Sequence, residues 1–460
     1  MFLLTKKERS ATLERNLKSN LCIKESGFLS VKQQMGFWAV LAFVISSQVG
    51  SGVFLLSHNM APYGTLGVFS WFVAGAGVLA LAFVFARLAE VYPQTGGPHV
   101  YVTKAFGHVA GFYVAFSYWV LAWLSSTPVL GTIASSMCEL LGVVPNVATL
   151  FVCEVMVLGG LTLLNLRGVE ASGRWEVVMS ALKAFPLVIF PVIALLFLDV
   201  SHFQPLNPTI DPWYQVVSQA GVMTLWGFLG IEAITAPAGS IKDPKITIPK
   251  ALKWGVLITT AIYVLNHVAL MGLMPLPELQ KYVMPYGVAL QKMWGAGSSK
   301  VMSFFVILVC VGAMNAWVLA MGQIAKGAAE MGFFPPLFAK ENKFGAPVMG
   351  LWISSGLLFL CLLGLMSRSF GEQIRFIIGI SIGASIGIYG LCVAAYVKEV
   401  RKHRLGGKAY GIAVAAVAFC IWMAVSIEWE SVLWALLIPL AGVPFYYTWR
   451  VRDKACVVLS

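Results

Sequence analysis

Glu232 and Lys183 are two of the ionisable residues that lie inside long apolar runs, where a charge is costly. Glu232 follows Gly230 by two residues in MTLWGFLGIEAITAP, and Lys183 lies eight residues into the run that contains MSALKAFPLVIF. Such residues commonly bind an ion, carry a proton or pair with one another. We therefore predict proton-coupling or gating roles for both. The alternatives are a buried carboxyl that closes a break, for Glu232, and a lysine that snorkels to the cytoplasmic side, for Lys183.

Small residues interrupt two of the apolar runs in their middle. Gly50, Ser51 and Gly52 interrupt the first run, and Gly227 and Gly230 interrupt the sixth. A glycine inside a helix costs up to about 1 kcal/mol relative to alanine, and unwound backbone in lipid must find partners or line a wet cavity. Free N–H groups at a break bind a carboxylate, and free carbonyls bind a cation. The pattern predicts a site for a zwitterionic solute, with close packing through small residues as the alternative.

Two tryptophans are candidates for binding a cationic group. Trp226 directly precedes the sixth interruption, and Trp317 lies in AWVLAMG within the eighth run. The face of an indole ring attracts an ammonium or guanidinium group by roughly 0.5–2 kcal/mol. Interfacial anchoring, the common role of tryptophan in membrane proteins, is less favoured because both residues lie in mid-run.

Only a membrane protein can position these residues. The chain is 59% hydrophobic and 11% charged, whereas soluble domains carry about 25% charged residues. Its apolar runs match the length of roughly 20 residues that a helix needs to cross the bilayer, and they are too long and too apolar for alternating strands. We predict an all-α membrane protein with about twelve transmembrane helices, near 36–62, 65–90, 107–137, 147–166, 175–199, 213–239, 251–275, 299–328, 346–366, 374–397, 409–427 and 430–449.

The basic residues predict how the chain is oriented. If the first tail is placed inside, 26 of the 32 Lys and Arg residues fall on the inner side and five on the outer side. This asymmetry is a strong positive-inside signal. We therefore expect residues 1–34 and 451–460 to be cytoplasmic tails. The first tail has no short apolar core with a cleavage site, so it does not resemble a signal peptide.

The two interrupted runs lie five runs apart, so they cross the membrane in opposite directions. This arrangement predicts two inverted repeats of five helices, whose broken members meet near the midplane. We expect the ten-helix core to span residues 35–400. Two additional helices then follow at 401–450.

Other function classes find little support in the sequence. There is no HExxH, no strained nucleophile motif and no GxxxxGK[ST] loop, so we predict neither an enzyme nor an ATP-driven pump. The eight cysteines are scattered without CxxC or a His/Cys cluster, and we expect no metal and no cofactor. Topology explains the net charge of +12 better than a nucleic-acid partner. A channel would favour a repeated pore loop, whereas the repeat here is internal and inverted.

Several stretches resemble the amino acid–polyamine–organocation (APC) superfamily, and within it the basic amino acid/polyamine antiporters such as the arginine/agmatine exchanger. The resemblance covers roughly residues 35–400. It implies a LeuT-like 5+5 inverted-repeat core with broken helices 1 and 6, alternating access without ATP, a bacterial inner-membrane location and a homodimer. The similar stretches are GSGVFLL at 50–56, PQTGGPHVYVTKAFG at 93–107, WGFLGIEAITAPAGSIKDPKITIPKA at 226–251 and AWVLAMGQIAKGAAEMGFFPPLFAKENKFGAPV at 316–348.

The resemblance also implies roles for individual residues. Trp226 would stack on the aliphatic part of the substrate and gate the site, and Trp317 would lie beneath a basic side chain. Glu232 would link transport to protons. The tenth helix aligns loosely, so Ile374 and Ser381 are only approximate matches. The remaining implied substrate-binding residues are Gly50, Ser51 and Gly52, which would hold the carboxylate, together with Tyr118 and Leu229.

Lys183 departs from the arginine/agmatine likeness, which favours a small or apolar residue there. In other superfamily members a lysine on this helix stands in for a sodium ion, and its ammonium could bond free carbonyls of the first helix. Two functions stay open. The first is exchange of arginine, ornithine or lysine for its amine or polyamine product, which Trp226, Trp317 and Glu232 favour. The second, which Lys183 favours, is proton-coupled, sodium-independent symport of a less charged amino acid.

Overall fold

The computed structural model describes residues 35–295, 297–367 and 370–447. Within these ranges the regular elements are helices, and extended pairing is limited to two isolated bridges, Met35 with Ile241 and Glu341 with Pro347. The α-helices are α1 (Phe37–Gln48), α2 (Gly52–Met60), α3 (Leu66–Val91), α4 (Pro98–Phe106), α5 (His108–Leu124), α6 (Thr127–Leu141), α7 (Val147–Asn165), α8 (Val169–Ala194), α9 (Trp213–Phe228), α10 (Pro244–Leu273), α11 (Leu276–Lys281), α12 (Pro285–Trp294), α13 (Ser298–Glu330), α14 (Val348–Leu365), α15 (Phe370–Lys402), α16 (Gly407–Ser426) and α17 (Trp429–Ala441).

Eleven segments of the described chain are long and apolar enough to cross a membrane, so the protein is a multi-pass membrane protein. They confirm eleven of the twelve predicted runs. The fifth run lies in α8, a helix of 26 residues, and the apolar stretch among its described residues, Phe185–Phe197, begins in α8 and continues past its end at Ala194.

The first span is two helices with a break between them. α1 ends at Gln48, Val49 is extended, and α2 begins at Gly52. A Cβ on Gly50 would lie 2.8 Å from the Cβ of Ala313, so only glycine allows this close approach to α13. The predicted interruption of the first span is confirmed.

The sixth span breaks in the same way. α9 ends at Phe228, and Gly230 has φ +101°, a conformation that side-chain-bearing residues rarely adopt. A Cβ on Gly230 would also lie 2.7 Å from the carbonyl oxygen of Ser47. Beyond the break the chain forms only short 3₁₀ turns, at Ala233–Thr235 and Ala238–Ser240. This interruption is confirmed too.

Four helices hold the two breaks in place. α1 packs against α8 and α10, α9 packs against α3, and α13 packs against α1 and α8. The third span is interrupted between α5 and α6, where the hydroxyls of Ser125 and Ser126 donate to the carbonyls of Leu121 and Ala122. Ser125 also lines the central cavity.

Candidate functional site

A small cavity lies between the two helix breaks. Its volume is about 30 Å³, close to the share of one water molecule in the liquid. An amino acid therefore fits only after the walls move. The lining residues are Ser47, Gln48, Gly50, Ser51 and Gly52 of the first span, Trp226, Gly227 and Leu229 of the sixth, Ser125 and Val129 of the third, and Ala313 and Trp317 of α13.

Six of the predicted site residues line this cavity, and three do not. Tyr118, Glu232 and Lys183 lie in the surrounding structure, as do the loosely matched Ile374 and Ser381. The six lining residues are Gly50, Ser51, Gly52, Trp226, Leu229 and Trp317.

The polar side of the cavity is suited to a carboxylate. α2 begins at Gly52, so its first N–H groups lack intrahelical acceptors and its positive dipole end meets the cavity. Ser51 precedes this end without capping it. The hydroxyl of Ser51 and Oε1 of Gln48 are buried and have no hydrogen-bond partner among the described residues. Buried polar groups of this kind are normally satisfied. The Ser51 hydroxyl can donate to a carboxylate, whereas Oε1 of Gln48 can only accept from a donor of the ligand.

The aromatic side of the cavity is formed by the two tryptophans. Trp226 and Trp317 are each 7% exposed. A Cβ on Gly52 would lie 3.5 Å from Cζ3 of Trp226, and a Cβ on Gly230 would lie 3.1 Å from Cζ2 of Trp317. Each indole therefore packs directly on a helix break. None of the lining residues is acidic, so a cation in this cavity would meet ring faces and backbone carbonyls.

A tyrosine that the sequence analysis did not find ties the two breaks together. The hydroxyl of Tyr263, on α10, lies 3.0 Å from the carbonyl oxygens of both Gln48 and Gly227 and can donate to either. Its ring stacks on Trp71, with centroids 4.4 Å apart and planes at 10°. The hydroxyl of Ser47 adds a second link, 2.9 Å from the carbonyl oxygen of Gly230. A phenol in mid-membrane needs a partner, and this signal could have identified Tyr263.

Lys183 bonds the free carbonyls of the first break. Its side chain is 1% exposed, so it does not snorkel to either surface. Nζ lies 3.2 Å from the carbonyl oxygen of Ser46 and 3.3 Å from that of Val49, and it also contacts the hydroxyl of Ser46. Because α1 ends at Gln48, these carbonyls have lost their helical donors. The ammonium takes the place of the missing N–H groups.

Glu232 lies in a separate polar cluster beyond the sixth-span break. Its side chain is fully buried, and Oε2 accepts a hydrogen bond of 2.6 Å from the hydroxyl of Tyr389 on α15. Tyr118 faces the same carboxyl from α5 without reaching hydrogen-bond geometry. The structure thus places Tyr118 beside Glu232 instead of in the cavity. Tyr389 was missed because the tenth helix was matched around Ile374 and Ser381.

The loop before α4 packs against the irregular part of the sixth span. The N–H of Gly96 donates to the carbonyl of Ala236, 2.9 Å away, and a Cβ on Gly97 would lie 2.7 Å from the hydroxyl oxygen of Thr235. His99, in the first turn of α4, is fully buried beside these glycines, and burial lowers its pKa to about 4. The loop therefore packs directly on the irregular part of the sixth span.

The described residues hold no group of three or more His, Cys, Asp or Glu side chains that could bind a metal ion. Six cysteines fall within the described ranges, and all six are free thiols. The predicted basic tails, 1–34 and 451–460, lie outside the described residues.

Comparison with known proteins gives a consistent set of relatives. Residues 35–448 match the amino acid permease family. The putrescine transporter PotE of Escherichia coli (strain K12) is 27% identical over 374 residues, which is 79% of this chain and 83% of the relative. The arginine/ornithine antiporter of Pseudomonas aeruginosa is 29% identical over 335 residues, which is 70% of this chain and 69% of the relative. The cadaverine/lysine antiporter of E. coli K12 is 24% identical over 331 residues, which is 71% of this chain and 74% of the relative.

Proposed function

The chain belongs to the amino acid permease family of the APC superfamily, and from that premise we propose that it exchanges a basic amino acid for the corresponding amine or polyamine. The relatives support this proposal, since their names give putrescine, arginine with ornithine, and cadaverine with lysine as their solutes. Proteins of this family move solutes and do not transform them.

The proposal rests on one observation: the cavity has a polar wall on one side and an aromatic wall on the other. The start of α2, with Ser51 and Gly52, offers N–H groups and an unpaired hydroxyl to the α-carboxylate. Trp226 and Trp317 offer ring faces to the aliphatic and cationic parts. A basic amino acid carries both groups at opposite ends. Its decarboxylated amine keeps the cationic end, so the two can alternate in one site.

Glu232 and Lys183 are proposed to couple and gate the exchange. Both are buried beside a helix break, one against Tyr389 and the other against carbonyls of the first span. A change in the charge of either residue would alter the hydrogen bonds that it forms at the neighbouring helix break. Movement of the breaks is what opens a cavity of about 30 Å³ to an amino acid.

Proton-coupled, sodium-independent symport is the alternative function. The position of Lys183 favours it, because the ammonium already bonds the carbonyls of Ser46 and Val49. Carbonyls freed by a helix break are the groups that bind a coupling cation in such transporters. An ammonium in this position argues against a sodium ion.

Transport by purified protein in liposomes distinguishes the two functions. We expect rapid uptake of radiolabelled arginine into liposomes preloaded with unlabelled arginine, and little uptake into empty ones. Agmatine, ornithine or lysine should compete. Uptake into empty liposomes driven by an inward proton gradient would instead support symport, and no arginine uptake under any condition would remove basic amino acids as the substrate class.

We further propose the bacterial inner membrane as the location, with both termini cytoplasmic. The excess of Lys and Arg on alternate loops supports this orientation. The transport core is proposed to span 35–400, followed by two additional helices and a short tail. A homodimer is proposed from the family resemblance alone.

A further inference from the structure

A large groove lies on the outside of the helix bundle, away from the central cavity. It is formed between α15 and α16 and reaches the end of α4, with a volume of about 850 Å³. Its walls are almost wholly apolar. The apolar lining residues are Phe106, Gly390, Val393, Ala394, Val397, Val417, Cys420 and Ile421.

One end of the groove is basic. Lys398, Arg401 and Lys402 line it at the last turn of α15. Lys398 donates to the carbonyl of Ala105 at 2.6 Å, and its Nζ lies 5.5 Å from the ring centroid of Phe106. Arg401 and Lys402 are exposed and form no ion pair with any described residue.

The acidic residue within this turn does not neutralise the basic end. Glu399 is buried and accepts a hydrogen bond of 2.7 Å from the hydroxyl of Tyr92. Its other oxygen lies 3.2 Å from Nε2 of His403. Its charge is therefore engaged on the side of α15 that faces α3, and the groove retains an uncompensated positive end.

We propose that this groove binds one anionic phospholipid. An occupant must combine a long apolar part with an anion at one end, and α15 and α16 are both candidate membrane spans. An acyl chain along Val393, Val397 and Ile421 would bury apolar walls that otherwise face the bilayer. The phosphate would then lie at Arg401 and Lys402, at the headgroup level that basic residues ending a span occupy.

A glycine makes room for the acyl chain. Gly390 lies in the wall of the groove, and a Cβ added there would meet no atom within 4 Å. A larger side chain at this position can therefore fill the groove without a clash at its Cβ. Replacing Gly390 by leucine should therefore block the apolar part of the groove and leave all of its basic residues in place.

Native mass spectrometry of the purified protein tests the proposal. Phosphatidylglycerol and phosphatidylcholine with identical acyl chains are titrated separately. We expect a saturable adduct of one phosphatidylglycerol per chain, and much weaker binding of phosphatidylcholine. R401Q/K402Q should bind phosphatidylglycerol about 30-fold more weakly, since each basic residue near a membrane surface contributes about 1 kcal/mol.

Two further variants separate this site from general charge effects. K340Q/K343Q removes the same charge from exposed lysines of another loop and should leave phosphatidylglycerol binding unchanged. Gly390→Leu should weaken it although Arg401 and Lys402 are intact, and inorganic phosphate should not compete.

Three outcomes would overturn the proposal. One is equal affinity for the two lipids, and another is equal loss in the two charge variants. The third is unchanged lipid binding in Gly390→Leu or R401Q/K402Q together with a shift from dimer to monomer, which would make the groove a contact between two copies of this chain.

Discussion

We propose that aromatic rings bind the cationic end of the solute in the central cavity, because the lining includes no acidic side chain. Trp317 lies where it can contact both the solute and the sixth-span break, since its ring is within 3.1 Å of the Cβ position of Gly230. A cation–π contact in a site closed to water reaches about 2 kcal/mol or more. This one residue should therefore affect both affinity and specificity.

Replacing Trp317 tests that role directly. We expect Trp317→Leu to raise the KM for arginine about 30-fold in the exchange assay, the equivalent of about 2 kcal/mol. Trp317→Tyr, which keeps an aromatic face, should recover part of the affinity. Trp352→Leu is the matched control, because Trp352 is 49% exposed and lies outside the cavity. An unchanged KM in Trp317→Leu would show that the ring does not contact the solute.

Lys183 should stabilise the fold as well as serve transport. Lys183→Met keeps much of the side-chain volume but removes the donors to Ser46 and Val49. Leaving a buried acceptor unpaired costs about 1–3 kcal/mol per group. We expect a lower melting temperature in detergent and loss of exchange at equal protein amounts. Wild-type stability together with wild-type transport would contradict the assignment of this lysine to the break.

At the scale of elements, the site depends on the hydrogen bonds that hold the two broken helices in fixed positions relative to each other. Tyr263 and Ser47 each link the first span to the sixth, through the carbonyls of Gln48, Gly227 and Gly230. Both links use backbone carbonyls at the helix breaks, where regular helical hydrogen bonding is interrupted. The two breaks are thus joined as one unit, and α10 is part of it.

Tyr263→Phe removes this link while it keeps the stacking on Trp71. We expect a kcat for exchange reduced about tenfold with little change in KM, since Tyr263 does not line the cavity. The melting temperature should fall, because a buried carbonyl loses its donor. Tyr410→Phe, at a tyrosine that is 45% exposed, provides the control. A rise in KM with unchanged kcat would instead place Tyr263 in direct contact with the solute.

Acid should destabilise α4 through His99. Burial lowers the pKa of His99 from 6.5 to about 4, so the folded state binds a proton less readily than the unfolded chain. Its stability is therefore intact above about pH 6.5 and is lost progressively as the pH falls towards 4. The loss reaches up to about 3 kcal/mol.

Melting temperatures at pH 7.5 and pH 5 measure this effect. His99→Asn should show a smaller difference between the two pH values than the wild type. His108→Asn changes an exposed histidine of the next helix and should behave as the wild type. Equal acid sensitivity in all three proteins would remove His99 as the cause.

Local patterns predicted the breaks and the bonding of Lys183 to carbonyls of the first one, but not the tyrosines that also lie at the breaks. Glycines at 50, 52, 227 and 230 are visible along the chain, and so is a lysine in an apolar run. Tyr263 and Tyr389 were missed because their partners lie tens to hundreds of residues away and are fixed by helix packing. Tyr118 was placed in the cavity on resemblance, whereas the structure places it beside Glu232.

For the molecule as a whole, the central cavity has no room for its proposed solute. It is about 30 Å³ in volume. Exchange therefore requires the walls to open towards each side in turn. The described helices carry the parts such a motion needs: two broken spans, a tyrosine that joins them and a buried ionisable residue at each break.

The central claim is that the solute occupies the break of the first span, and substrate protection at Ser51 tests it most directly. Ser51→Cys is a nearly isosteric change at a buried, unpaired hydroxyl, made in a background without other cysteines. A small charged thiol reagent should modify it at a rate that arginine slows at least severalfold. Ser298→Cys, outside the cavity, should react at a rate that arginine does not change. If arginine leaves the modification of Ser51→Cys unaffected while exchange is intact, the solute binds elsewhere and the account is wrong.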